Sequence, residues 1–309
     1  MYSLCDFNES ITSVYEDIRN FNALFSAFKH AKPEIVIHLA AQPLVRASYE
    51  SPAYTYETNV IGTVNILECI RRTDFVRSFL NVTTDKVYQN NEWVWGYREY
   101  DPLGGFDPYA NSKSCSEFVT QSYVNSFFSD RATNISTARS GNVIGGGDFA
   151  ADRIVPDFIR AVSTGEKLIV RNPLSIRPYQ HVLEALGAYL LIIEKQYNDK
   201  KYAGAYNVGP DDNDCITTGD LVNMLCDEWG GNNMGWIEVQ NNGPHESNYL
   251  KLDCSKIKNV LQWKPRWCIK EAVANTAEWY KAYLGQENIQ SIMDAQINTF
   301  LYRRIACLV

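Results

Sequence analysis

The chain has 309 residues, of which 45% are hydrophobic and 21% are charged, and its formal net charge is −7. This composition is ordinary for a globular protein with a large core, in one large domain or two smaller ones. The acidic balance argues against broad binding of nucleic acids or anionic membranes, because both need a positive surface. We therefore expect a few local arginines to hold any anionic ligand.

Cysteine, histidine and apolar patterns exclude several further classes of protein. The eight cysteines form no C-x-x-C pair, and in a chain of this size they are typical of free thiols in a reducing compartment. The four histidines are too scattered to predict a metal site. No apolar run reaches the roughly 18 residues of a membrane span, and the first ten residues are too acidic and polar for a signal peptide. We therefore expect a cytoplasmic protein without a metal ion.

Short apolar runs alternate along the chain with longer helical patterns. The apolar runs predict buried strands at residues 34–40, 78–84, 134–144, 167–170 and 205–209. Helical periodicity predicts helices near residues 20–31, 53–73, 108–128, 153–164, 181–198, 217–229 and 269–284. This alternation predicts an α/β fold with a parallel sheet that carries helices on both faces.

The composition changes after about residue 145, where proline, glycine, asparagine and tryptophan become frequent. We therefore predict a sheet domain at residues 1–145 and mainly a smaller domain at residues 146–309, with some segments returning to the sheet. Ligands of open α/β sheets bind at the carboxyl ends of the strands. The segments that follow "HLA", "VTT" and "GNVI" are therefore expected to line one cleft.

The helix predicted near residues 108–128 contains the pattern Tyr109-x-x-x-Lys113. This spacing puts both side chains on one helix face, where an ammonium can stabilise a phenolate and make tyrosine a base near neutral pH. The pattern also occurs at Tyr197 and Lys201, in the charged segment "EKQYNDKKY". Lysines are expected at such a helix end for solvation and for the helix dipole, so the second copy is interpreted as accidental.

The strand predicted at residues 78–84 ends in the polar sequence Thr83-Thr84-Asp85-Lys86. Hydroxyl, carboxylate and amine groups therefore follow a buried strand at the point where the cleft is expected. A capped turn is the alternative, because threonine and aspartate also favour turns. Together with Tyr109, this strand end indicates a catalytic cleft.

Several motifs, in order, resemble the extended short-chain dehydrogenase/reductase family: "HLAAQPLVRASYESPAYTYETNVIGTVNILE", "TTDKVY", "YANSK" and "ARSGNVIGGGDFAADRIVPDFIRA". Three more segments resemble the CDP-glucose 4,6-dehydratases of that family: "NNEWVWGYREYDPLGGFDPY", "RNPLSIRPYQHVLEALGAYLL" and "HESNYLKLDCSKIKNVLQWKPRW". The resemblance implies a Rossmann-like doubly wound parallel sheet in an NAD-binding domain, followed by a smaller substrate-binding domain.

The resemblance also implies a reaction, the NAD-dependent dehydration of CDP-D-glucose to CDP-4-keto-6-deoxy-D-glucose for deoxysugar and surface polysaccharide synthesis. Tyr109 would take the proton of the C4 hydroxyl, and Lys113 would lower the pKa of Tyr109 and hold the nicotinamide ribose. Thr84 would orient the C4 oxygen, and Asp85 would be the acid at C6. Lys86 would be the base at C5, where the dTDP-glucose relatives have glutamate.

Ligand-binding residues are carried over from the same motifs. Those implied for NAD, besides the Tyr109–Lys113 pair, are Asp17, Ile18, Leu39, Ala40, Ala41, Gln42 and Asn59. Those implied for the nucleotide sugar are Asn142, Arg153, Arg177, Tyr179 and His245. Arginine is implied at the diphosphate because guanidinium geometry suits phosphate oxygens.

The chain departs from the family pattern at its start. The family begins with a strand and a glycine-rich turn, whose backbone amides receive the pyrophosphate, whereas the first glycine here is Gly62. We therefore expect an N-terminally truncated sheet that lacks the first strand–helix–strand unit, with unpaired strand edges and weakened NAD binding. The apolar, basic tail after Asn298 has no assigned role.

Two alternatives remain open at this stage. Another sugar-nucleotide enzyme of the family, such as a 4-epimerase, is the first, although epimerases lack the acid and base that follow the threonine. The second is an inactive remnant or binding scaffold, because the glycine-rich turn is missing. The resemblance also implies a homodimer, formed through the helices near residues 53–73 and 108–128.

Overall fold

The computed structural model describes residues 4–5, 7, 10–230, 235–239, 243 and 247–302. Its strands are β1 (Ile35–His38), β2 (Ser78–Val82), β3 (Asn134–Ser140), β4 (Val143–Ile144), β5 (Leu168–Val170), β6 (Ile176–Arg177), β7 (Gln180–His181), β8 (Ala205–Val208), β9 (Ile216–Thr217) and β10 (Trp236–Glu238). Its α-helices are α1 (Phe21–Ala31), α2 (Val45–Glu50), α3 (Pro52–Tyr56), α4 (Gly62–Arg71), α5 (Pro108–Phe127), α6 (Ile154–Thr164), α7 (Val182–Asn198), α8 (Thr218–Trp229), α9 (Ser255–Leu261), α10 (Ile269–Leu284) and α11 (Ile289–Tyr302).

The central sheet has four parallel strands in the order β1-β2-β3-β8. Successive residues of a strand point to opposite faces, and β2 uses both faces for core packing. Phe79 packs in an apolar cluster with residues of α1 and α4, whereas Leu80 packs in a second cluster with residues of α7. The predicted α/β fold, a parallel sheet with helices on both faces, is confirmed.

β1 lies at one edge of this sheet, and no strand of the described residues pairs with its outer side. Ile35 at the start of β1 is 43% exposed, and Leu39 just beyond its end is 56% exposed. An unpaired edge of this kind leaves backbone donors and acceptors available to another segment. The predicted absence of a first strand–helix–strand unit stays a prediction.

Some elements differ in detail from the sequence-based expectations. The run at residues 134–144 forms two strands, β3 and β4, and the helix expected at residues 53–73 is interrupted by a π-helical turn at Glu57–Ile61. The run at residues 167–170 contains β5, which pairs with β10 outside the central sheet. Its apolar side chains are buried in a different core, because Leu168 and Val170 pack with α6 and α8.

The second core contains residues of α6, α8, α10 and α11. Two elements from the same half of the chain join the central sheet instead: β8 pairs with β3, and α7 packs on one face of the sheet. Residues 298–302 of the tail that had no assigned role form the end of α11, and residues 303–309 lie outside the described residues. The division into two domains at residue 145 stays a prediction.

Candidate active site

A cleft with a volume of about 580 Å³ opens at the carboxyl ends of β2 and β3. Its lining comes from α2, from the residues after β2, from the start of α5 and from the segment between β3 and α6, among others. Eight sequence-predicted site residues line it: Thr84, Asp85, Lys86, Tyr109, Asn142, Arg153, Arg177 and Tyr179. The chain thus brings together residues that are up to 95 positions apart in the sequence.

Tyr109 lies in the first turn of α5, where the local sequence determines its position. Asp107 caps the helix by accepting a hydrogen bond from the backbone N–H of Ala110 at 2.8 Å, and Pro108 occupies the first helical position. Both are favoured residue types at these positions. The N–H of Tyr109 donates to the hydroxyl of Ser48 at 3.1 Å. The helix start is therefore held against α2, with the phenol directed into the cleft.

Burial raises the pKa of Tyr109 to about 12. The hydrogen bond with Thr84 and the positive charge of Arg153 act in the opposite direction, whereas the negative charge of Asp85 raises the pKa further. A tyrosine with this pKa is protonated near neutral pH. It therefore needs further positive charge close to its oxygen to work as a base there.

Lys113 lies one helical turn after Tyr109 and is 5% exposed. Its ammonium donates a hydrogen bond to the carbonyl of Val82, the last residue of β2, at 3.0 Å. Burial lowers the pKa of Lys113 to about 8, and the negative charge of Glu117 opposes that shift. The charge of Lys113 and burial together lower the pKa of His38, at the end of β1, to about 3. The predicted actions of Lys113 on Tyr109 and on a ribose stay predictions.

The residues after β2 form a capped turn that also lines the cleft, and their predicted catalytic roles stay predictions. A short 3-10 helix covers Asp85–Val87, and the hydroxyl of Thr84 accepts a hydrogen bond from the N–H of Lys86 at 3.4 Å. The same hydroxyl donates to Oδ1 of Asp85 at 3.1 Å. The turn therefore orders three polar side chains at the carboxyl end of a buried strand.

Asp85 and Lys86 form a close pair of opposite charges in this turn. The distance between Nζ of Lys86 and Oδ1 of Asp85 is 3.8 Å. The side chain of Asp85 is 1% exposed and that of Lys86 is 31% exposed. The second carboxylate oxygen of Asp85 is buried without a hydrogen-bond partner in the described part of the chain, which leaves it available to a ligand group. Such a pair can give a proton on one side and take one on the other.

Polar residues cover the opposite wall of the cleft. The backbone carbonyl of Asn142 accepts a hydrogen bond from the N–H of Gln180. The side-chain oxygen of Asn142 is buried without a hydrogen-bond partner among the described residues. Arg177 donates to the carbonyl of Ser247, and the hydroxyl of Tyr179 lies 3.0 Å from that of Thr218. His245, the remaining candidate of this group, lies outside the described residues.

Two further arginines line the cleft that were not predicted from the sequence, Arg46 and Arg171. Each pairs with Asp152, at 3.6 and 3.5 Å, while Arg153 pairs with Asp148 at 3.0 Å. These guanidinium groups are partly exposed and paired with surface carboxylates, so a phosphate group can compete for them. Arg46 follows the "HLA" segment and Arg171 follows β5. Their positions after the carboxyl ends of strands could therefore have indicated these arginines from the sequence.

The residues implied for NAD besides Tyr109 and Lys113 lie before α1, just after β1 and in the π-helical turn. Asp17 pairs with Arg19 at 2.8 Å, and the carbonyl of Ile18 accepts a hydrogen bond from Asn65 of α4 at 3.0 Å. Leu39 and Ala40 are exposed beyond β1, while Ala41 is half-buried and Gln42 is buried. None of these side chains is in the lining of the cleft described above.

Asn59 holds the chain after β1 and is 1% exposed. Its side-chain oxygen accepts from the N–H of Gln42 at 2.8 Å, and its amide donates to the carbonyl of Gln42 at 3.1 Å and to the hydroxyl of Ser112 at 2.8 Å. Asn59 belongs to the π-helical turn, a feature that is frequent at functional sites. The side chain of Asn59 thus connects the segment after β1 to α5.

We expect Asn59→Ala to destabilise the fold by about 3 kcal/mol, because it leaves buried polar groups of Gln42 and Ser112 without a partner. The measurement is the free energy of unfolding from urea denaturation. Asn198→Ala is the matched control, since the Asn198 side chain donates to Glu194 on the exposed end of α7, and we expect a change below about 0.5 kcal/mol there. Equal stability of the two variants would contradict the bracing role.

Among the described residues, no group of three histidine, cysteine, aspartate or glutamate side chains is arranged to hold a metal ion. No described helix is both long and apolar enough to cross a membrane.

Comparisons with known proteins agree with the fold and extend over most of the chain. Residues 3–276 match the family model for GDP-mannose 4,6-dehydratase. The chain is 42% identical to the CDP-glucose 4,6-dehydratase of Salmonella typhimurium, over 97% of this chain and 85% of that protein.

Solved structures of related folds superpose on the chain as well. A UDP-glucose 4-epimerase from Thermotoga maritima has a TM-score of 0.77 at 23% identity and covers 87% of this chain and 84% of its own. A dTDP-glucose 4,6-dehydratase from Streptomyces venezuelae, solved with NAD bound, has a TM-score of 0.74 at 22% identity and covers 89% and 80%. With the family model matched over nearly nine-tenths of its length, the chain belongs to the GDP-mannose 4,6-dehydratase family.

Proposed function

We propose that the chain catalyses the NAD-dependent dehydration of CDP-D-glucose to CDP-4-keto-6-deoxy-D-glucose, a step that supplies deoxysugars for surface polysaccharide. The observation that carries this proposal is the position of Asp85 and Lys86 in one cleft with Tyr109, whose phenol is hydrogen-bonded to Thr84. The similarity to the Salmonella typhimurium enzyme supports the choice of CDP-glucose. The free thiols among the described cysteines support a cytoplasmic location.

In this proposal Tyr109 accepts the proton of the sugar C4 hydroxyl, and Thr84 donates a hydrogen bond that orients the C4 oxygen. NAD, when bound, would supply reversible storage of the hydride that is moved from C4 to C6. Arg153 favours the phenolate of Tyr109, and Lys113, one turn along the same helix, is a second cation that would do so. Further positive charge is needed, because the pKa of Tyr109 is about 12 with Arg153 already in place.

Elimination of water follows from the Asp85–Lys86 pair. The ketone at C4 acidifies the proton at C5, which Lys86 takes in its neutral form. The C6 hydroxyl leaves as water with a proton from Asp85, so that the pair loses one proton and gains another. Lys86, whose Nζ lies 3.8 Å from Oδ1 of Asp85, then gives a proton back to C5 as the stored hydride would return to C6. The proton that Tyr109 took from the C4 hydroxyl replaces the one that Asp85 gave to the leaving water, so that all three groups regain their starting states.

The residues of the chain fit NAD in part. The exposed Leu39–Ala40 segment beyond β1 would offer an apolar platform for the nicotinamide end. Asp17 and Ile18 would hold the adenine end. The glycine-rich turn of the family has no counterpart in the sequence, whose first glycine is Gly62, so no residue is assigned to the pyrophosphate.

Incubation of the purified chain with NAD⁺ and CDP-glucose tests the proposal directly. The expected result is loss of one water by mass and the appearance of a 4-keto-6-deoxy sugar, at a higher kcat/KM than with dTDP-glucose. Conversion to a 4-epimer without loss of water would assign the chain to epimerase chemistry instead. Absence of turnover together with absence of NAD binding would support the alternative of an inactive scaffold.

We also propose that the chain forms a homodimer through α3, α4 and α5. α5 packs against both α3 and α4. Exposed apolar side chains lie on α3, on the π-helical turn that follows it and on α5, namely Tyr54 at 46%, Ile61 at 48% and Phe118 at 56%. An exposed apolar surface of this kind is typical of a subunit interface.

We expect Phe118→Asp to convert the dimer to a monomer, because a charge on this surface would have to be desolvated on association. The measurement is the molar mass by light scattering after size-exclusion chromatography. The control is Leu284→Asp, since Leu284 is 44% exposed at the end of α10 and should leave the mass unchanged. A monomeric wild-type chain would contradict the proposed dimer.

A further inference from the structure

Glu117 is a buried carboxylate of α5 that has no role in the reaction described above. It is 4% exposed and lies one turn after Lys113 on the same helix. Its oxygens accept four hydrogen bonds: from the hydroxyl of Thr83 at 2.6 Å, from the hydroxyl of Thr137 at 2.8 Å, and from Nε and Nη2 of Arg139 at 2.9 Å each. A carboxylate so fully satisfied in the interior is held in one position.

The contact with Thr83 ties Glu117 to the catalytic turn. Thr83 directly precedes Thr84, and its own N–H donates to the carbonyl of Ala138 in β3 at 2.8 Å. The preceding residue of the same strand end, Val82, accepts the hydrogen bond from Lys113. Two successive residues before Thr84 are therefore held from α5, one by the ammonium of Lys113 and the other by the carboxylate of Glu117.

Arg139 compensates the charge of Glu117 and is itself fixed on its other side. One of its guanidinium nitrogens donates to the hydroxyl of Tyr88 at 2.9 Å and to the carbonyl of Glu99 at 3.0 Å. The side chains of the pair are 5% and 4% exposed. A buried ion pair of this kind contributes little net stability compared with apolar residues, so stability alone is a weak reason for its presence.

The charges around Lys113 give Glu117 a second effect. Burial lowers the pKa of Lys113, and the negative charge of Glu117 is the group that raises it. His38 faces Lys113 from β1 with its pKa lowered to about 3, so it is neutral near pH 7. Glu99 and Lys256, which interact electrostatically with Arg139, have their pKa values shifted toward the neutral forms by burial.

We propose that Glu117 is a positioning residue of the catalytic centre: it holds the end of β2 that carries Thr84, and it supplies the negative charge next to the buried ammonium of Lys113. The inference rests on the proposed function for its kinetic consequence. Its electrostatic consequence can be measured on the chain without turnover, so the two can fail separately.

The first experiment is a titration of Lys113 in the wild-type chain and in Glu117→Gln. Lysine labelled with ¹³C at Cε reports each titration by NMR, and Lys113→Arg identifies the signal. We expect the pKa of Lys113 to fall by about 1 unit in Glu117→Gln, the size of a shift produced by one nearby opposite charge, and to stay unchanged in Glu117→Asp. An unchanged pKa in Glu117→Gln would overturn the electrostatic half of the proposal.

The pH profile of kcat provides the kinetic readout. A lower pKa of Lys113 removes its charge at a lower pH. The alkaline limb of the profile should therefore move to lower pH by about 1 pH unit in Glu117→Gln. Glu184→Gln is the control, because Glu184 is 1% exposed and accepts hydrogen bonds from the N–H groups of Arg266 and Trp267, at 2.7 Å each. It should lower the melting temperature without moving the limb. An equal shift of the alkaline limb in both variants would mean that Glu117 has only a structural role.

A second pair of variants keeps the proposal testable if Glu117→Gln does not fold. Thr83→Val removes the hydrogen bond to Glu117 but keeps every charge, and Thr83→Ser restores the hydroxyl. We expect kcat to fall about tenfold in Thr83→Val, with KM and the pKa of Lys113 unchanged, and to recover in Thr83→Ser. An unchanged kcat in Thr83→Val would overturn the positioning half of the proposal.

Discussion

Tyr109→Phe is expected to lower kcat for CDP-glucose dehydration about a thousandfold, which is within the usual contribution of a positioned acid–base group. The phenylalanine ring fills the same buried space, so the variant loses the hydroxyl and its hydrogen bond with Thr84. That loss costs about 1 kcal/mol of stability, too little to unfold a domain. A loss of activity in a folded variant therefore measures the chemistry of the hydroxyl. KM should change little, because the hydroxyl acts mainly in the transition state.

The chain contains its own control for this experiment in Tyr197, which begins the second Y-x-x-x-K pattern. The hydroxyl of Tyr197 bonds to Glu34, and its ring lies against Arg77 at 4.0 Å, on the surface at the far end of α7. Tyr197→Phe should therefore keep full activity. Equal losses in both variants would remove the distinction drawn between the two patterns, and full activity in Tyr109→Phe would exclude Tyr109 as the base.

Periodicity predicted most of the fold, since buried strands and amphipathic helices have clear patterns. The alternation of Phe79 and Leu80 between two cores is an example, because each residue is apolar and each faces a helix layer. Periodicity could not assign a strand to its sheet. The run that contains Leu168 and Val170 has the same pattern as a central strand, yet its partner is β10, which comes almost seventy residues later.

The candidate site was predictable where chemistry and strand ends coincide, as at Thr84 and Asp85. The burial of Lys113 and its hydrogen bond to Val82 depend on tertiary packing, which no local pattern encodes. The same applies to Glu117: one of its four donors is Thr83, just after β2 and 34 residues earlier, and the other three belong to Thr137 and Arg139 of β3, 20 and 22 residues later. Its helix position, four residues after Lys113, was the one signal in the sequence.

Asp85→Asn should lower dehydration about a thousandfold while leaving the first half of the reaction intact. Asparagine keeps the shape of the side chain and can still accept the hydrogen bond that Thr84 donates at 3.1 Å. The variant loses the ion pair with Lys86, in which Nζ of Lys86 lies 3.8 Å from Oδ1 of Asp85 and the Lys86 side chain is 31% exposed. Such a partly exposed ion pair contributes at most about 1 kcal/mol. The fold should therefore persist, and the change should affect proton donation to the C6 hydroxyl.

The distinguishing result is the state of the cofactor and of C5. Oxidation at C4 needs Tyr109 and not Asp85, so the variant with NAD⁺ and CDP-glucose should accumulate the absorbance of reduced nicotinamide. Lys86 should still exchange the C5 proton with solvent, which mass spectrometry detects as deuterium in the sugar recovered from D₂O. Lys86→Met should accumulate the same absorbance without that deuterium.

Asp227→Asn, on the exposed surface of α8, is the control and should behave as the wild-type chain. Full dehydration by Asp85→Asn would exclude Asp85 as the acid. Deuterium at C5 in Lys86→Met would exclude Lys86 as the base and leave the C5 proton to another group of the cleft. The two variants therefore separate acid from base, although the residues are adjacent in the chain and paired in the structure, because each controls a different atom of the sugar.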